Sequence, residues 1–237
     1  MPWRSCTSAW WLDWLAPLDC VACGADVRSG AGCAALLCAD CQALGAARAL
    51  PSVGDAAGVP VVARAPYAPP WSLAVQRLKY GGRPDLGARI GAGLAPLLAE
   101  LGGAPGLVPV PMPPGRRVAR GYNQAALLAR GLARAAGVVL LPPALRRVDP
   151  TGTQVGRGRS ERLAAAAGAF VAVRPVAGRV VLVDDVVTTG ATAAACVGAL
   201  RGAGADVVGV IAVARAASEL DRGGVDENWG TSGPSGA

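Results

Sequence analysis

A run of apolar residues at positions 180–183, mostly β-branched, is the clearest structural signal in the chain. It belongs to the segment RVVLVDDVVTTGATAAAC, residues 179–196, in which two acids, Asp184 and Asp185, follow the run at once. Small hydroxyl and glycine residues come next, and then an alanine-rich stretch. The apolar run predicts a strand buried on both faces, the small residues predict a tight loop, and the alanines predict a helix.

Strand, loop and helix in this order form an anion-binding site. The loop and the helix N-terminus present backbone N–H groups without partners, and the helix dipole adds a partial positive charge. The segment therefore predicts a phosphate site. The sequence contains no competing phosphate motif, neither GxxxxGKS or GxxxxGKT nor a complete GxGxxG after a strand.

The two adjacent acids extend this prediction. Consecutive strand residues point to opposite faces, so at least one of Asp184 and Asp185 must face the open carboxyl edge of the sheet. Carboxylates repel a phosphate at direct contact, but they suit the hydroxyls of a ribose, or water held by Mg²⁺, a short distance away. A lone acid pair would be interpreted as strand-end acids that cap the following helix. The complete DDVVTTGAT run favours the ligand interpretation.

The rest of the hydrophobic pattern predicts an α/β domain. Three further strands are expected, at residues 59–63, 107–111 and 206–214. Three helices are expected, at residues 71–79, 86–101 and 124–136. The strand at 107–111 contains prolines, which a strand tolerates only near its ends or at a sheet edge.

An arginine-rich segment follows this proline-containing strand. Arg116, Arg117 and Arg120 precede the sequence GYNQ, which opens the helix that ends near residue 136. A run of arginines in a loop is most often a solvated surface. This run follows a strand in an α/β pattern, so we expect it at the carboxyl edge of the sheet, where ligands bind. Arginine forks suit a pyrophosphate that must be held and then released.

Four cysteines near the start of the chain form two CxxC pairs. Cys20 and Cys23 make the first pair, and Cys38 and Cys41 make the second. Two such turns close a tetrahedral shell of four thiolates, which predicts a structural Zn²⁺ site, and Cys33 between the pairs is an alternative ligand. A disulfide framework or a redox CxxC is the alternative interpretation. Nothing marks the chain as secreted, however, and no thioredoxin-like pattern surrounds either pair.

Composition limits which ligands, catalytic bases and metal ligands are expected. The formal net charge of +7 suits anionic ligands or nucleic acid, but nearly all of the positive charge is arginine, and Lys79 is the only lysine. Because alanine and glycine are also abundant, we attribute the arginines to a compositional bias, and charge alone does not predict DNA binding. The absence of histidine excludes the usual general base and leaves metal binding to cysteine or carboxylate.

The chain is expected to divide into three regions. Residues 1–50 hold a short amphipathic helix and the cysteine-rich module, residues 51–216 the α/β domain, and residues 217–237 a polar tail that we expect to be disordered. No apolar run reaches the roughly 18 residues that a membrane span needs. Asp13 interrupts the apolar stretch near the N-terminus, which argues against a signal peptide. A cytoplasmic protein is therefore expected.

The motif VVLVDDVVTTGAT resembles the 5-phosphoribosyl-1-pyrophosphate (PRPP) signature of the type I phosphoribosyltransferases. LKYGGRPDLG, VPVPMPPGRRVARGYNQAALLA and VVLVDDVVTTGAT occur in the order seen in the ComF/GntX family of phosphoribosyltransferase-like proteins. This resemblance covers about residues 10–215. It implies the type I phosphoribosyltransferase fold, a Rossmann-like parallel sheet with helices on both faces, preceded by a zinc-ribbon-like module.

The resemblance also implies roles for individual residues. Asp184 and Asp185 would hold the ribose diol, while the segment that contains Arg116, Arg117 and Arg120 would lie over the pyrophosphate. The residues that would wrap the 5-phosphate are Val187, Thr188, Thr189, Gly190, Ala191 and Thr192.

A polar, glycine-rich segment at residues 149–162 has the composition of a mobile lid. The resemblance implies that this segment closes over PRPP, with Gln154 and Arg162 at the family's glutamine and arginine positions. Two residues depart from the family pattern: Arg157 stands where a leucine is usual, and Ala165 stands where an asparagine is usual. If that asparagine takes part in catalysis, a chain with Ala165 in its place would bind PRPP without turning it over.

Two functions follow from these expectations. The first is a Mg²⁺-dependent phosphoribosyltransferase in which Asp184, Asp185, Arg116 and Arg117 carry the catalysis. It needs no histidine base, because PRPP carries its own leaving group and the enzyme chiefly positions and stabilises charge. The second is a non-catalytic PRPP sensor or competence-associated DNA-uptake protein, with single-stranded DNA or a DNA-processing protein as its partner. No motif predicts the acceptor or the oligomeric state.

Overall fold

The computed structural model describes residues 19–27, 36–46, 52–102, 106–148 and 169–216. The strands in these ranges are β1 (Ser52–Ala56), β2 (Val59–Pro66), β3 (Gly106–Pro109), β4 (Val139–Leu140), β5 (Leu145–Arg147), β6 (Phe170–Ala172), β7 (Gly178–Val187) and β8 (Ala205–Arg215). The helices are α1 (Ala39–Ala46), α2 (Trp71–Tyr80), α3 (Asp85–Ala92), α4 (Ala95–Glu100), α5 (Pro114–Arg120), α6 (Gln124–Ala136) and α7 (Ala191–Gly202). The predicted N-terminal helix and the predicted tail lie outside the described ranges.

Six strands form one sheet in the order β1-β2-β8-β7-β3-β4, and β5 pairs with β6 in a separate antiparallel hairpin. Neighbouring strands of the large sheet run parallel, except that β1 pairs antiparallel with β2 at one edge. The predicted α/β class with a parallel sheet is thus confirmed. The edge strand β1 was not predicted, because its sequence SVGDA contains glycine and aspartate, which are depleted in strands.

Helices cover both faces of this sheet. Helices α2, α3, α4 and α6 belong to one buried cluster, and α7 with the β5–β6 hairpin belongs to the other. Strand β7 supplies Val181 and Val183 to the first cluster and Val180 and Leu182 to the second. This alternation explains the uninterrupted apolar run, since a strand covered on both faces buries every side chain.

Two local predictions were wrong in detail. The single helix expected over residues 86–101 is divided into α3 and α4 by a turn at Gly93, whose N–H donates to the carbonyl oxygen of Arg89 at 3.3 Å. The arginine-rich loop is instead a short helix, α5. It begins with Pro114 at the first helical position, where proline is favoured, and it ends at Gly121 with φ +82°, where glycine is favoured. None of the helices in the described part of the chain is long and apolar enough to cross a membrane.

Helices α3 and α6 approach each other through glycines. A Cβ added at Gly131 in α6 would overlap the backbone oxygen of Ala88 in α3. A Cβ added at Gly91 in α3 would in the same way overlap the backbone oxygen of Leu128 in α6. The two backbones are therefore in direct contact at this crossing.

We expect Gly131→Ala to destabilise the protein. In an open helix interior this change stabilises by about 1 kcal/mol, but here the added methyl forces the helices apart, which costs about 1–3 kcal/mol. Gly198→Ala in α7 is the matched control, because a Cβ there meets nothing within 4 Å. Denaturant unfolding should show opposite signs for the two changes in the free energy of unfolding. Stabilisation by both would contradict the close contact.

Candidate functional site

A cleft lies at the carboxyl ends of β3 and β7, two neighbouring strands at which the topology reverses. The chain leaves β7 through α7 to reach β8 on one side, and it leaves β3 through α5 and α6 to reach β4 on the other. Ligands of open α/β sheets bind in the crevice at such a switch point. The acid pair follows one of these strands and the arginine segment follows the other.

The cleft has a volume of about 140 Å³. The predicted site residues that line it are Asp184, Asp185, Thr192, Arg116 and Arg120. Polar residues that also line it, although they were not predicted as site residues, are Lys79, Tyr80, Asn123, Gln124 and Arg147. Arg117 is exposed on α5 and does not belong to this lining.

The loop between β7 and α7 has the geometry of a phosphate cradle. Gly190 caps α7 with φ +76°, a left-handed conformation that favours glycine. As a glycine, the N-cap residue offers no side-chain cap, and the one side-chain bond described at this helix start is long, from the Ala191 N–H to the Thr189 Oγ1 at 3.5 Å. The N-terminus of α7 is therefore suited to an anion. Thr188 and Thr189 are exposed beside these groups, whereas Val187 is buried and can reach a ligand only through its backbone.

Asp184 and Asp185 lie in the last part of β7. Asp185 is 4% exposed, and Asp184 is half-buried. The Asp184 Oδ1 accepts a hydrogen bond from the N–H of Asp185 at 2.8 Å, and the Asp185 Oδ1 accepts one from the N–H of Val186 at 3.0 Å. Burial, reinforced by the neighbouring Asp185 carboxylate, raises the pKa of Asp184 well above its usual range.

Lys79, in the last turn of α2, is the cation closest to this acid pair among the described ion pairs. Its Nζ lies 2.7 Å from the Asp185 Oδ2. That oxygen is buried and has no partner in hydrogen-bond geometry within the described residues, so the contact is an ion pair without an aligned hydrogen bond. The sequence analysis did not predict that Lys79 pairs with the acids. A signal for it was that Lys79 is the only lysine in an arginine-rich chain.

Two arginines of α5, Arg116 and Arg120, also line the cleft. The Arg120 Nη1 donates to the Gln124 Oε1 at 2.9 Å, and the Arg120 Cζ lies 5.1 Å from the ring centroid of Tyr80. Arg116 and Arg120, with Lys79 and Tyr80, also line a second, adjoining cavity of about 530 Å³. The two cavities thus share a basic and aromatic wall.

Asn123 fixes the start of α6 against the end of β3. Its Oδ1 accepts from the N–H of Ala125 at 3.0 Å as the helix cap, and its Nδ2 donates to the carbonyl oxygen of Val110 at 3.0 Å. This double role explains why the NQ pair opens a helix at the cleft.

The predicted lid, residues 149–162, lies outside the described residues. Arg147 ends β5 just before it, with its Cζ 5.4 Å from the ring centroid of Phe170. Gln154 and Arg162, which the resemblance places on the lid, lie outside the described residues. The same is true of the two departures from the family pattern, Arg157 and Ala165.

The four paired cysteines form one cluster. The sulfur atoms of Cys20, Cys23, Cys38 and Cys41 all lie within 4.8 Å of one another, and all four residues are free thiols. The Cys23 and Cys38 sulfurs are 3.6 Å apart. A disulfide needs about 2.05 Å, whereas Zn–S bonds of about 2.3 Å place tetrahedral sulfurs about 3.8 Å apart. The cluster therefore fits a metal ion; the alternative ligand Cys33 lies outside the described residues.

Hydrogen bonds make one of these thiols more acidic than usual. Although burial raises it, the pKa of Cys20 is lowered to about 7 by hydrogen bonds from the backbone of Cys23, Cys38 and Ala22. The thiolate, which is the form that ligates metals, is thereby favoured at this position.

Asp19 ties the cysteine module to the α/β domain. Its carboxylate accepts hydrogen bonds from Arg77 at 2.8 Å and from Arg83 at 2.9 Å, and it lies 3.4 Å from Arg89. Partial burial raises the pKa of Asp19, but the hydrogen bonds from Arg83 and Arg77 outweigh burial and lower it to about 2. Since Arg77 is in α2, the module is bonded to the helix that carries Lys79.

The chain is similar in sequence to several named proteins. It is 36% identical over 135 residues to the DNA utilization protein YhgH of Salmonella typhi, which covers 54% of this chain and 60% of that protein. It is 39% identical over 115 residues to competence protein F of Haemophilus influenzae, covering 46% and 50% of the two chains. It is 41% identical over 97 residues to the adenine phosphoribosyltransferase of a Parafrankia species, covering 39% and 48%. The matches to YhgH and competence protein F thus span about half to three fifths of those proteins. No family model matches the chain.

Among solved structures, the chain overlaps with the glutamine PRPP amidotransferase from B. subtilis complexed with ADP and GMP. The sequence identity is 27% and the TM-score is 0.39, over 58% of this chain and 30% of that one. At this TM-score the overlap adds nothing to the strand order described above. The sequence similarities confirm the resemblance that the three motifs indicated: the chain is similar over part of its length to competence protein F, to the YhgH proteins and to an adenine phosphoribosyltransferase, and it combines an α/β domain with a cluster of four cysteines.

Proposed function

We propose that the chain binds PRPP with Mg²⁺ in the cleft and transfers its 5-phosphoribosyl group to an acceptor. The observation that carries this proposal is the position of the acid pair: Asp184 and Asp185 lie in the last part of β7 at the switch point, and the short loop after β7 leads to the N-terminus of α7. A phosphate and a diol at fixed separation, as in a ribose 5-phosphate, suit this arrangement.

Each part of PRPP has residues of matching chemistry. The carboxylates of Asp184 and Asp185 would bind the ribose diol, and Arg116 and Arg120 would bind the pyrophosphate from α5, with Arg117 exposed on the same helix. The 5-phosphate would lie on the loop formed by Val187, Thr188, Thr189, Gly190, Ala191 and Thr192. Gln154 and Arg162 remain predicted lid contacts.

The carboxylates also fit Mg²⁺, which prefers oxygen ligands and often combines one or two protein carboxylates with substrate phosphates. The carboxylate oxygens of Asp184 and Asp185 are of this kind, although the Asp185 Oδ2 is paired with the Lys79 ammonium in the empty cleft. When bound, Mg²⁺ would neutralise charge on the pyrophosphate leaving group. The protein's own part is to orient the ribose and to stabilise the pyrophosphate with arginines, so the absence of histidine is compatible with catalysis.

We also propose that the cysteine cluster holds a structural Zn²⁺. A set of four cysteine ligands, which leaves no open position on a tetrahedral ion, is typical of structural rather than catalytic zinc. Cys20 and Cys41 are buried in the same cluster of side chains as α2, so the ion would stabilise the wall of the cleft as well as its own module.

A second candidate function is favoured by the names of the relatives. Competence protein F and DNA utilization protein YhgH point to DNA uptake or use. On that alternative the chain senses PRPP without turning it over, and its partner is single-stranded DNA or a DNA-processing protein. Turnover, rather than binding, separates the two candidates.

The deciding experiment is a calorimetric titration of PRPP with and without Mg²⁺, followed by a pyrophosphate-release assay across a panel of nucleobases. Mg²⁺-dependent binding with pyrophosphate release supports the transferase. Binding without release for any base favours the sensor. Absence of PRPP binding under both conditions would refute the site assignment that both functions share.

A further inference from the structure

In the empty cleft, the Lys79 side chain forms an ion pair with Asp185, one of the two acids proposed to bind the ribose diol. Its ammonium lies 2.7 Å from the Asp185 Oδ2, and Asp185 is almost fully buried. A buried carboxylate without a counter-ion is strongly unfavourable, so this ion pair stabilises the cleft in the absence of ligand. A diol that approaches Asp185 must displace the ammonium.

The same lysine can reach the basic wall of the cleft. It lines both cavities together with Arg116 and Arg120, the residues proposed to bind pyrophosphate. Lysine is a point charge on a flexible four-carbon stem, and the pair with Asp185 is not locked by an aligned hydrogen bond. Rotation of the side chain alone can therefore move the charge from the acid toward the arginines.

Two of the other three cations that line the cleft, Arg120 and Arg147, are held by ring or hydrogen-bond contacts. The Arg120 guanidinium stacks on Tyr80 and donates to Gln124, and the Arg147 guanidinium stacks on Phe170. Among the described ion pairs, Lys79 is the cleft cation that is paired with an acid of the site, so a change of its partner couples the acid pair to the basic wall.

We propose that Lys79 is an exchangeable counter-ion that makes the cleft selective for PRPP over ribose 5-phosphate. It neutralises Asp185 in the empty cleft, and it moves to the pyrophosphate when the ribose diol takes its place on Asp185. Ribose 5-phosphate breaks the ion pair without offering the ammonium a new anion, whereas PRPP offers one. This inference rests on the proposed function.

The first test compares ligand affinities by calorimetry in the full-length protein. In Lys79→Met, the affinity for PRPP should fall by about tenfold, the usual effect of losing one hydrogen bond to a charged group. The affinity for ribose 5-phosphate should be unchanged or higher, because no ammonium has to be displaced. Arg134→Met, at an exposed position on α6, controls for the loss of one positive charge. Equal weakening of PRPP and ribose 5-phosphate, or unchanged PRPP affinity, would overturn the inference.

A second test uses the unmodified protein, because Lys79→Met leaves Asp185 buried without its cation. Lys79 is the only lysine, so isotope-labelled lysine gives a single side-chain NMR signal. In the empty protein this signal should shift on Asp185→Asn. Ribose 5-phosphate should move the wild-type signal toward that of the variant, and PRPP should move it to a third position.

The two tests together separate the inference from the function on which it rests. PRPP binding with an unmoved lysine signal overturns the inference and leaves the proposed function standing. A protein that binds neither PRPP nor ribose 5-phosphate refutes the function, and the inference with it.

Discussion

The double variant Asp184→Asn, Asp185→Asn should lose PRPP affinity by about a hundredfold or more, since it removes two charged acceptors from the diol site. Both side chains line the cleft, and the Asp185 Oδ1 accepts a hydrogen bond from the Val186 N–H. Strand β7 contains no other acid that could replace them. Calorimetry with PRPP and Mg²⁺ measures the loss. Asp206→Asn in β8, an exposed acid, is the matched control and should bind as the wild type does. Undiminished binding by the double variant would show that the ligand lies elsewhere.

The single variant Asp184→Asn should in addition be more stable than the wild type at neutral pH. The raised pKa of Asp184 means that its ionised form is less favourable in the folded than in the unfolded chain. As the pH falls, the folded state therefore takes up the Asp184 proton at a higher pH than the unfolded chain does. The destabilisation caused by ionised Asp184 disappears between neutral pH and the unfolded-state pKa of about 3.9. The gap in thermal midpoint between variant and wild type, measured without Mg²⁺, should be largest at pH 7 and shrink toward pH 4. Loss of binding together with lower stability would indicate damage to the fold instead.

Cys38→Ser should remove the bound metal and lower the free energy of unfolding by about 4 kcal/mol or more, as expected for loss of a structural ion. The effect should extend beyond the module, because Cys20, Val21 and Cys41 pack in the same buried cluster as α2 and α3. Metal analysis of the purified wild type should give near one Zn²⁺ per chain.

The control for this variant is Cys196→Ser. Cys196 is a fully buried thiol in the α7 cluster, away from the four paired cysteines. Its serine variant should keep the metal while losing some stability. A wild-type protein that is well folded and free of metal would rule out a structural role for the cysteine cluster.

The unit from β7 to α7 could be predicted from sequence because its parts are contiguous. A strand buried on both faces needs an apolar run such as residues 180–183, and a left-handed helix cap needs a residue such as Gly190. The paired cysteines could be predicted for the same reason, since each CxxC turn is local. These features depend on neighbours in the chain and not on the rest of the fold.

The rest of the cleft depends on tertiary packing. Lys79 ends an amphipathic helix whose local sequence indicates only which face is buried, and it meets Asp185 because α2 packs over the sheet. Arg147 reaches the cleft from a three-residue strand in a hairpin that no local pattern predicts. The antiparallel edge strand β1 was missed because a polar, glycine-containing segment gains its strand structure from pairing with β2.

The glycine contact between α3 and α6 makes one wall of the cleft mechanically stiff. Helices whose backbones touch cannot slide or rotate past each other without a clash, and Asn123 joins the start of α6 to the end of β3. Under the proposed function, we therefore expect acceptors of different size to be accommodated at another wall, the end of α2 with Lys79 and the exposed ring of Tyr80. Changes at that wall should alter which acceptor fits, while the stiff wall keeps the register between the arginines and the acid pair.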